Sequence, residues 1–219
     1  EEKFVNLTQK VDSAEKRDML SRTPAAALGS CRFKLKDINE DDSQYKQIID
    51  IFHKHNIGYF IYIGGNDSMD TVYKISEYCK KNNVDDIKVI GVPKTIDNDL
   101  CGIDHCPGFG SAAKYIATVF SELEREAVVY DTKNVIIVEM MGRHAGWLTA
   151  AAALAYGKND EVPYLIYLEE RTFSVDKFIT DVKEALNNHT AVMVAVSEGV
   201  HDENGRYICE QAQDKIEKD

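Results

Sequence analysis

The chain has 219 residues, 44% of them hydrophobic, enough for one or two domains with real cores. Its formal net charge of -11 argues against broad binding to nucleic acid or to anionic membranes, so an anionic ligand needs a local cluster of cations or backbone amides. The five cysteines, Cys31, Cys79, Cys101, Cys106 and Cys209, are odd in number and scattered, which reads as reduced thiols in a cytoplasmic protein, and no apolar run approaches the ~18 residues of a membrane helix.

Residues 1–42 are polar and irregular, with short helical stretches and a turn-like run over 23–29. From Asp42 the pattern is regular. Tyr45, Ile48, Ile49 and Phe52 mark one helical face, and a strand over 58–63 ends in Gly64-Gly65. The spacing predicts a helix over 68–81 with Met69, Val72, Tyr73, Ser76 and Cys79 inward, then a strand over 88–92. Ala112, Tyr115, Ile116, Val119, Phe120 and Leu123 form the clearest helical stripe. A strand over 135–140, an alanine-rich helix over 144–156 and a strand over 164–168 follow. A helix capped by Ser174 carries Val175, Phe178, Ile179, Val182 and Leu186, and the last strand covers 191–196. Strand and helix alternate about five times and the strands are continuous apolar runs. This predicts an α/β fold with parallel sheets covered on both faces by helices. Ligands in such folds sit beyond the carboxyl ends of the strands, so the residues directly after strands are the ones to read for chemistry.

Three of those segments are unusual. Gly64-Gly65-Asn66-Asp67-Ser68 opens a helix, where free N–H groups favour phosphate; a plain tight turn is the alternative. Pro93-Lys94-Thr95-Ile96-Asp97-Asn98-Asp99, read as extended, puts Thr95, Asp97 and Asp99 on one side and Lys94 and Asn98 on the other. The functional reading is a base beside a hydroxyl, with a metal or cation neutralising the cluster; the bland one is a solvated loop. Met141-Gly142-Arg143-His144-Ala145-Gly146-Trp147 places Arg143 at a helix start. That is the wrong end for a cation paired with the helix dipole and suits an anionic ligand, although a surface arginine is the alternative. His144 reads as structural.

Together with Leu28-Gly-Ser-Cys-Arg32 and the strand ending Val196-Ser-Glu198-Gly, these segments resemble the phosphofructokinase family, in order, from about Leu20 to Glu198. The resemblance implies a phosphofructokinase-like fold and phosphorylation of the 1-hydroxyl of fructose 6-phosphate, glycolytic and reversible in the pyrophosphate-using branch. Asp97 would be the base, assisted by Lys94 and Arg143. Thr95, Asp99, Met141, Gly142 and Glu198 would bind substrate. Gly64, Gly65, Asp67, Ser68 and Arg32 would bind the phosphoryl donor, and Asp99, with Asn66, would lie near Mg2+. Such a site works by positioning and charge neutralisation.

The resemblance also implies the donor. ATP-using members have glycine where this chain has Asp67 and Lys94, and the pyrophosphate-using branch has Asp and Lys. Ala25-Ala-Ala-Leu-Gly-Ser-Cys-Arg32 and Pro107-Gly-Phe-Gly-Ser-Ala-Ala113 match that branch too. Asn66 departs from the family's usual Asp, and Asn134 stands where many members carry an arginine for the neighbouring subunit. The family's glycine-rich loop would precede residue 1, and its late histidine and arginines would follow residue 219. The expectation is therefore part of a two-domain enzyme, with 1–108 on the donor side and 109–219 on the sugar side. The full-length protein is expected to be a cytoplasmic homodimer that binds neither nucleic acid nor membrane. An ATP-dependent 6-phosphofructokinase, a regulatory subunit of the same fold and an inactive fragment are the alternatives.

Overall fold

The computed structural model describes residues 4–23, 26–27, 29–155 and 162–211. The chain forms two compact units, one of Glu1–Tyr62 with Asp67–Gly91 and the other of Ile63–Asn66 with Val92–Asp219.

The first unit begins with two short polar helices, α1 (Leu7–Lys10) and α2 (Ala14–Arg22), capped by Asn6 and Ser13 and burying nothing. Its core forms where α3 (Ser43–Lys54) and α4 (Asn66–Lys81) pack beside β1 (Tyr59–Gly64) and β2 (Lys88–Pro93). The predicted face of α3 is the buried one: Tyr45, Ile49 and Phe52 are inside and Ile48 packs against them. Tyr45 is fully buried, stacks on Tyr78 and donates its hydroxyl hydrogen to the Lys36 carbonyl, so burying the phenol leaves no polar group unpaired. On α4 the expectation needs a rotation. Ile75, Tyr78 and Cys79 are buried, whereas Tyr73 and Ser76 face out, because the true stripe runs 72, 75, 79. Gly91 explains how α4 lies so close to β2: a Cβ there would stand 2.9 Å from Met69 Sδ.

β1 and β2 form a two-stranded sheet. It corrects the expectation that every strand is covered on both faces. Tyr59, Ile61 and Ile63 of β1 and Ile90 and Val92 of β2 are exposed, while the alternate residues turn inward. The two strands read as continuous apolar runs, but their burial has period two.

The second unit holds β3 (Asn134–Met140), β4 (Tyr164–Tyr167) and β5 (Ala191–Ser197) in the order β3-β5-β4, all parallel. β5 is central, and Ala191 to Ala195 are all buried, as its unbroken apolar run requires. Around it lie α5 (Phe109–Ala127), α6 (Trp147–Ala150), a 3-10 turn (Ala151–Leu154) and α7 (Val175–Asn188). Ile116 and Phe120 of α5 enter a core shared with Met140, Leu148 and Met193; Tyr115, expected in that stripe, is exposed. The alanine-rich helix begins at Trp147 rather than His144, because residues 143–146 are spent on a turn and Gly146 is the N-cap. Its expected end at Tyr156 lies outside the described residues, as do Ala25 and Leu28 of the amino-terminal segment.

Ser174 caps α7 as predicted, accepting from the Lys177 N–H. Two tyrosines pin β4: Tyr164 donates to Glu124 (2.7 Å) and Tyr167 to Asp181 (3.0 Å), and burial with a carboxylate partner pushes both phenols well above their ordinary pKa. All five cysteines are free thiols. Among the described residues no helix is long and apolar enough to cross a membrane.

Candidate active site

The segment after β2 starts extended and then turns. Thr95 bridges to Gly108 as a parallel neighbour, and its Oγ1 accepts from the Asp97 N–H at 3.2 Å. The expectation of an extended run through Asp99 fails at Asn98, which has φ +56 and is buried. Its side chain replaces two backbone partners: Nδ2 donates to the Asp104 carbonyl (3.0 Å) and Oδ1 accepts from the Cys106 N–H (2.7 Å). Asparagine is the residue that tolerates a left-handed backbone and mimics a turn with its own amide. Asp97 and Asp99 therefore sit on either side of a locked corner.

Asp97 is half-buried, and its Oδ1 is buried with no hydrogen-bond partner. Burial, then the charges of Asp99 and Glu198, raise its pKa; the Thr95 hydrogen bond and the Lys94 charge pull less strongly the other way. Such a carboxylate is a better proton acceptor than a solvated aspartate.

The parallel pairing of β3 and β5 brings their carboxyl ends together, and with them the loop of residues 141–146 and Glu198. Glu198 Oε1 accepts from the Gly142 N–H (3.1 Å), and its Oε2 stands 3.8 Å from Arg143 Nη2. Ser197 Oγ donates to the Gly142 carbonyl (3.1 Å). Gly142 has φ +112, a conformation that favours glycine. Arg143 and Glu198 thus stand side by side at the end of β3 and β5. The arginine is exposed and its ion pair is long, so turning toward an anion costs little. Met141 is exposed beside it.

Gly199 fixes how near the β5 end lies to this loop. A Cβ at 199 would overlap the Arg143 carbonyl oxygen and stand 2.8 Å from its carbonyl carbon. Gly199→Ala should destabilise the protein by about 1–3 kcal/mol through overpacking, read as a lower denaturant midpoint. An unchanged midpoint would mean that the strand end moves freely past Arg143.

The expected donor-side residues divide between the units. Arg32, Asp67 and Ser68 belong to the first, and Gly64, Gly65, Asn66 and Lys94 to the second. α4 starts at Asn66, two residues before its expected start, so Asn66 and Asp67 lie in its first turn. Asp67 is exposed, with Lys34 Nζ 3.9 Å from its carboxylate, and Arg32 and Lys94 are exposed. Asn66 donates from Nδ2 to Asp99 Oδ2 at 2.7 Å. As placed, Asn66 partners the carboxylate, and Asp99 is the group with charge to offer a cation. Among the described residues no three His, Cys, Asp or Glu side chains gather as a metal cluster. One carboxylate is nevertheless what magnesium needs when phosphate oxygens and water fill its other positions.

Sequence reasoning missed Asn98 as the lock of the corner, Ser197, and Glu170, whose Oε1 accepts from the Gly146 N–H at 2.8 Å. Glu170 follows β4 at the same sheet edge, so the rule applied to the first three strands points to it as well.

A parallel α/β unit with its polar loops gathered at the carboxyl edge is a ligand-binding architecture. The chain belongs to the phosphofructokinase family, whose model, described as Phosphofructokinase, matches residues 3–219. It is 45% identical, over all of its length and 52% of the relative's, to the pyrophosphate–fructose 6-phosphate 1-phosphotransferase of Rhodospirillum rubrum. It is 41% identical to the enzyme of that name from Methylococcus capsulatus, over 91% of this chain and 48% of that one. Among solved structures, the pyrophosphate-dependent phosphofructokinase of Marinobacter aquaeolei superimposes with a TM-score of 0.77 at 40% identity, covering 95% of this chain and 51% of that one. The chain spans about half the length of the curated relatives it matches.

Proposed function

We propose that the full-length protein transfers a phosphoryl group from pyrophosphate to the 1-hydroxyl of fructose 6-phosphate, giving fructose 1,6-bisphosphate and phosphate, reversibly. The observation that carries this reading is the Asp97 carboxylate, with a buried oxygen that lacks a partner and surroundings that favour its protonated form. The similarity to enzymes named for this reaction supports it.

In this reading Asp97 takes the hydroxyl proton as the sugar oxygen bonds to phosphorus and the bridging P–O bond of pyrophosphate breaks. Thr95 holds Asp97 through its backbone N–H and flanks the transferring group. Arg143 steadies that group's charge, Met141 and Gly142 hold the sugar phosphate, and Glu198 accepts from sugar hydroxyls. Gly64, Gly65, Asp67, Ser68 and Arg32 receive pyrophosphate, and Lys94 meets the leaving phosphate. Asp99, with Asn66 beside it, would hold Mg2+, which when bound would neutralise phosphate charge. Residues 1–108 serve the donor and 109–219 the sugar, in a cytoplasmic homodimer.

The test is a donor assay on the full-length protein with pyrophosphate and ATP side by side. The expected result is fructose 1,6-bisphosphate formation with pyrophosphate and little with ATP. Efficient use of ATP would overturn the donor assignment, and no product with either donor would overturn the reaction.

A further inference from the structure

The loop that carries Arg143 is held at both ends. At its start Gly142 bonds to Glu198 and Ser197, which follow one another at the end of β5. At its end the Gly146 N–H donates to Glu170 Oε1 (2.8 Å), beyond β4 on the other side of β5. The Glu170 carboxylate lies directly against Gly146: a Cβ there would overlap Oε2 and stand 3.2 Å from Oε1. Gly146 is buried, so its N–H depends on this charge-assisted bond. The neighbouring carboxylate bears a cost, since burial and then the Glu170 charge raise the pKa of Glu169.

We infer that Glu170 is a positioning residue for the phosphoryl-transfer site, setting the place of Arg143 by anchoring the far end of its loop through the Gly146 N–H. This rests on the function proposed above for Arg143. Glu198 and Glu170 then act as a pair of carboxylate clamps from neighbouring strands, one at each end of the loop.

A double-mutant cycle in the full-length protein tests it, with fructose 6-phosphate varied at saturating pyrophosphate. Glu170→Ala should lower kcat/KM by about 10–100-fold, the range for a lost bond to a charged group. Glu170→Gln keeps an acceptor oxygen and should stay within a few-fold of the unmutated protein. In an Arg143→Ala background, Glu170→Ala should change kcat/KM by less than about threefold, because the residue acts through the arginine. Full additivity, a Gln variant as poor as Ala, or an Ala variant of normal activity would each overturn the inference. If Glu170→Ala does not fold, Glu170→Asp, one methylene shorter, takes its place with the same expected direction, and normal activity there overturns the inference. Hydrogen exchange at the Gly146 amide gives a readout without turnover: protection should fall in Ala and survive in Gln. Loss of that pattern would overturn the anchor even in an active enzyme. Absence of turnover in the unmutated protein would instead overturn the proposed reaction.

Discussion

Asp97→Asn in the full-length protein should lower kcat by about 10²–10⁴-fold with a smaller change in KM, the signature of a lost general base. The amide nearly matches the carboxylate in shape, so it keeps the Thr95 corner and removes only proton acceptance. The same substitution should make the fold more stable at neutral pH. Burial, Asp99 and Glu198 hold the folded-state pKa of Asp97 above its ordinary value. Its contribution to stability is therefore full below the unfolded pKa and lost as pH rises through the folded one. At pH 7 the native protein carries a disfavoured carboxylate, and the asparagine variant does not. The variant's Tm should thus lie above the parent's at pH 7, with the gap closing in acid. For the unmutated enzyme, kcat/KM in the direction of bisphosphate formation should fall as pH drops through a pKa above that of a solvated aspartate. A variant with near-normal kcat would remove Asp97 from the chemistry.

Asp67→Gly should admit ATP, and Lys94→Gly should lower turnover with pyrophosphate more than it weakens sugar binding. Two unit charges about 4 Å apart repel by ~1 kcal/mol in water and by roughly 4 kcal/mol at an effective dielectric near 20. The Asp67 side chain is 87% exposed and has Lys34 beside it, so the discrimination starts near the lower figure and grows as bound donor excludes water. A gain in ATP-supported kcat/KM on the order of tenfold is expected for Asp67→Gly. Lys94 follows β2 directly, one residue before Thr95, where its ammonium can offset charge on the departing phosphate. An unchanged donor ratio in Asp67→Gly would reduce Asp67 to a residue of the α4 first turn.

Where one rule governed a segment, the sequence was enough to read it. The apolar run of β5 announced a strand covered on both faces, Ser174 announced a cap, and the α3 stripe announced its buried face. The loop after β3 meets Glu198 because the parallel strands β3 and β5 deliver their carboxyl ends to one edge. Misreadings arose where two rules competed. Tyr115 and Tyr73 counted as apolar by composition, yet phenols are comfortable in water, and the helices turned them outward. β1 and β2 read as buried on both sides because period-two burial leaves no trace when the outward residues are apolar too. The turn at Asn98 was hidden because nothing local states that its amide will find Asp104 and Cys106. Glu170 was missed for a related reason: its partner is the N–H of a glycine twenty-four residues earlier, and a backbone donor has no letter in the sequence.

The order β3-β5-β4 has a consequence for synthesis on the ribosome. The central strand is the last of the three to be made, and each outer strand pairs with it rather than with the other. A nascent chain that has emerged only as far as α7 already contains Asp97, Gly142 and Glu170. It has neither the Ser197 hydroxyl nor the Glu198 carboxylate that hold the Gly142 loop from fifty-five and fifty-six residues away. Insertion of β5 is therefore both the step that closes the long connection from β3 and the step that ties down the Gly142 loop. Until then the Gly142 loop lacks both of its β5 anchors, and the unpaired edges of β3 and β4 remain open to chaperones or to aggregation.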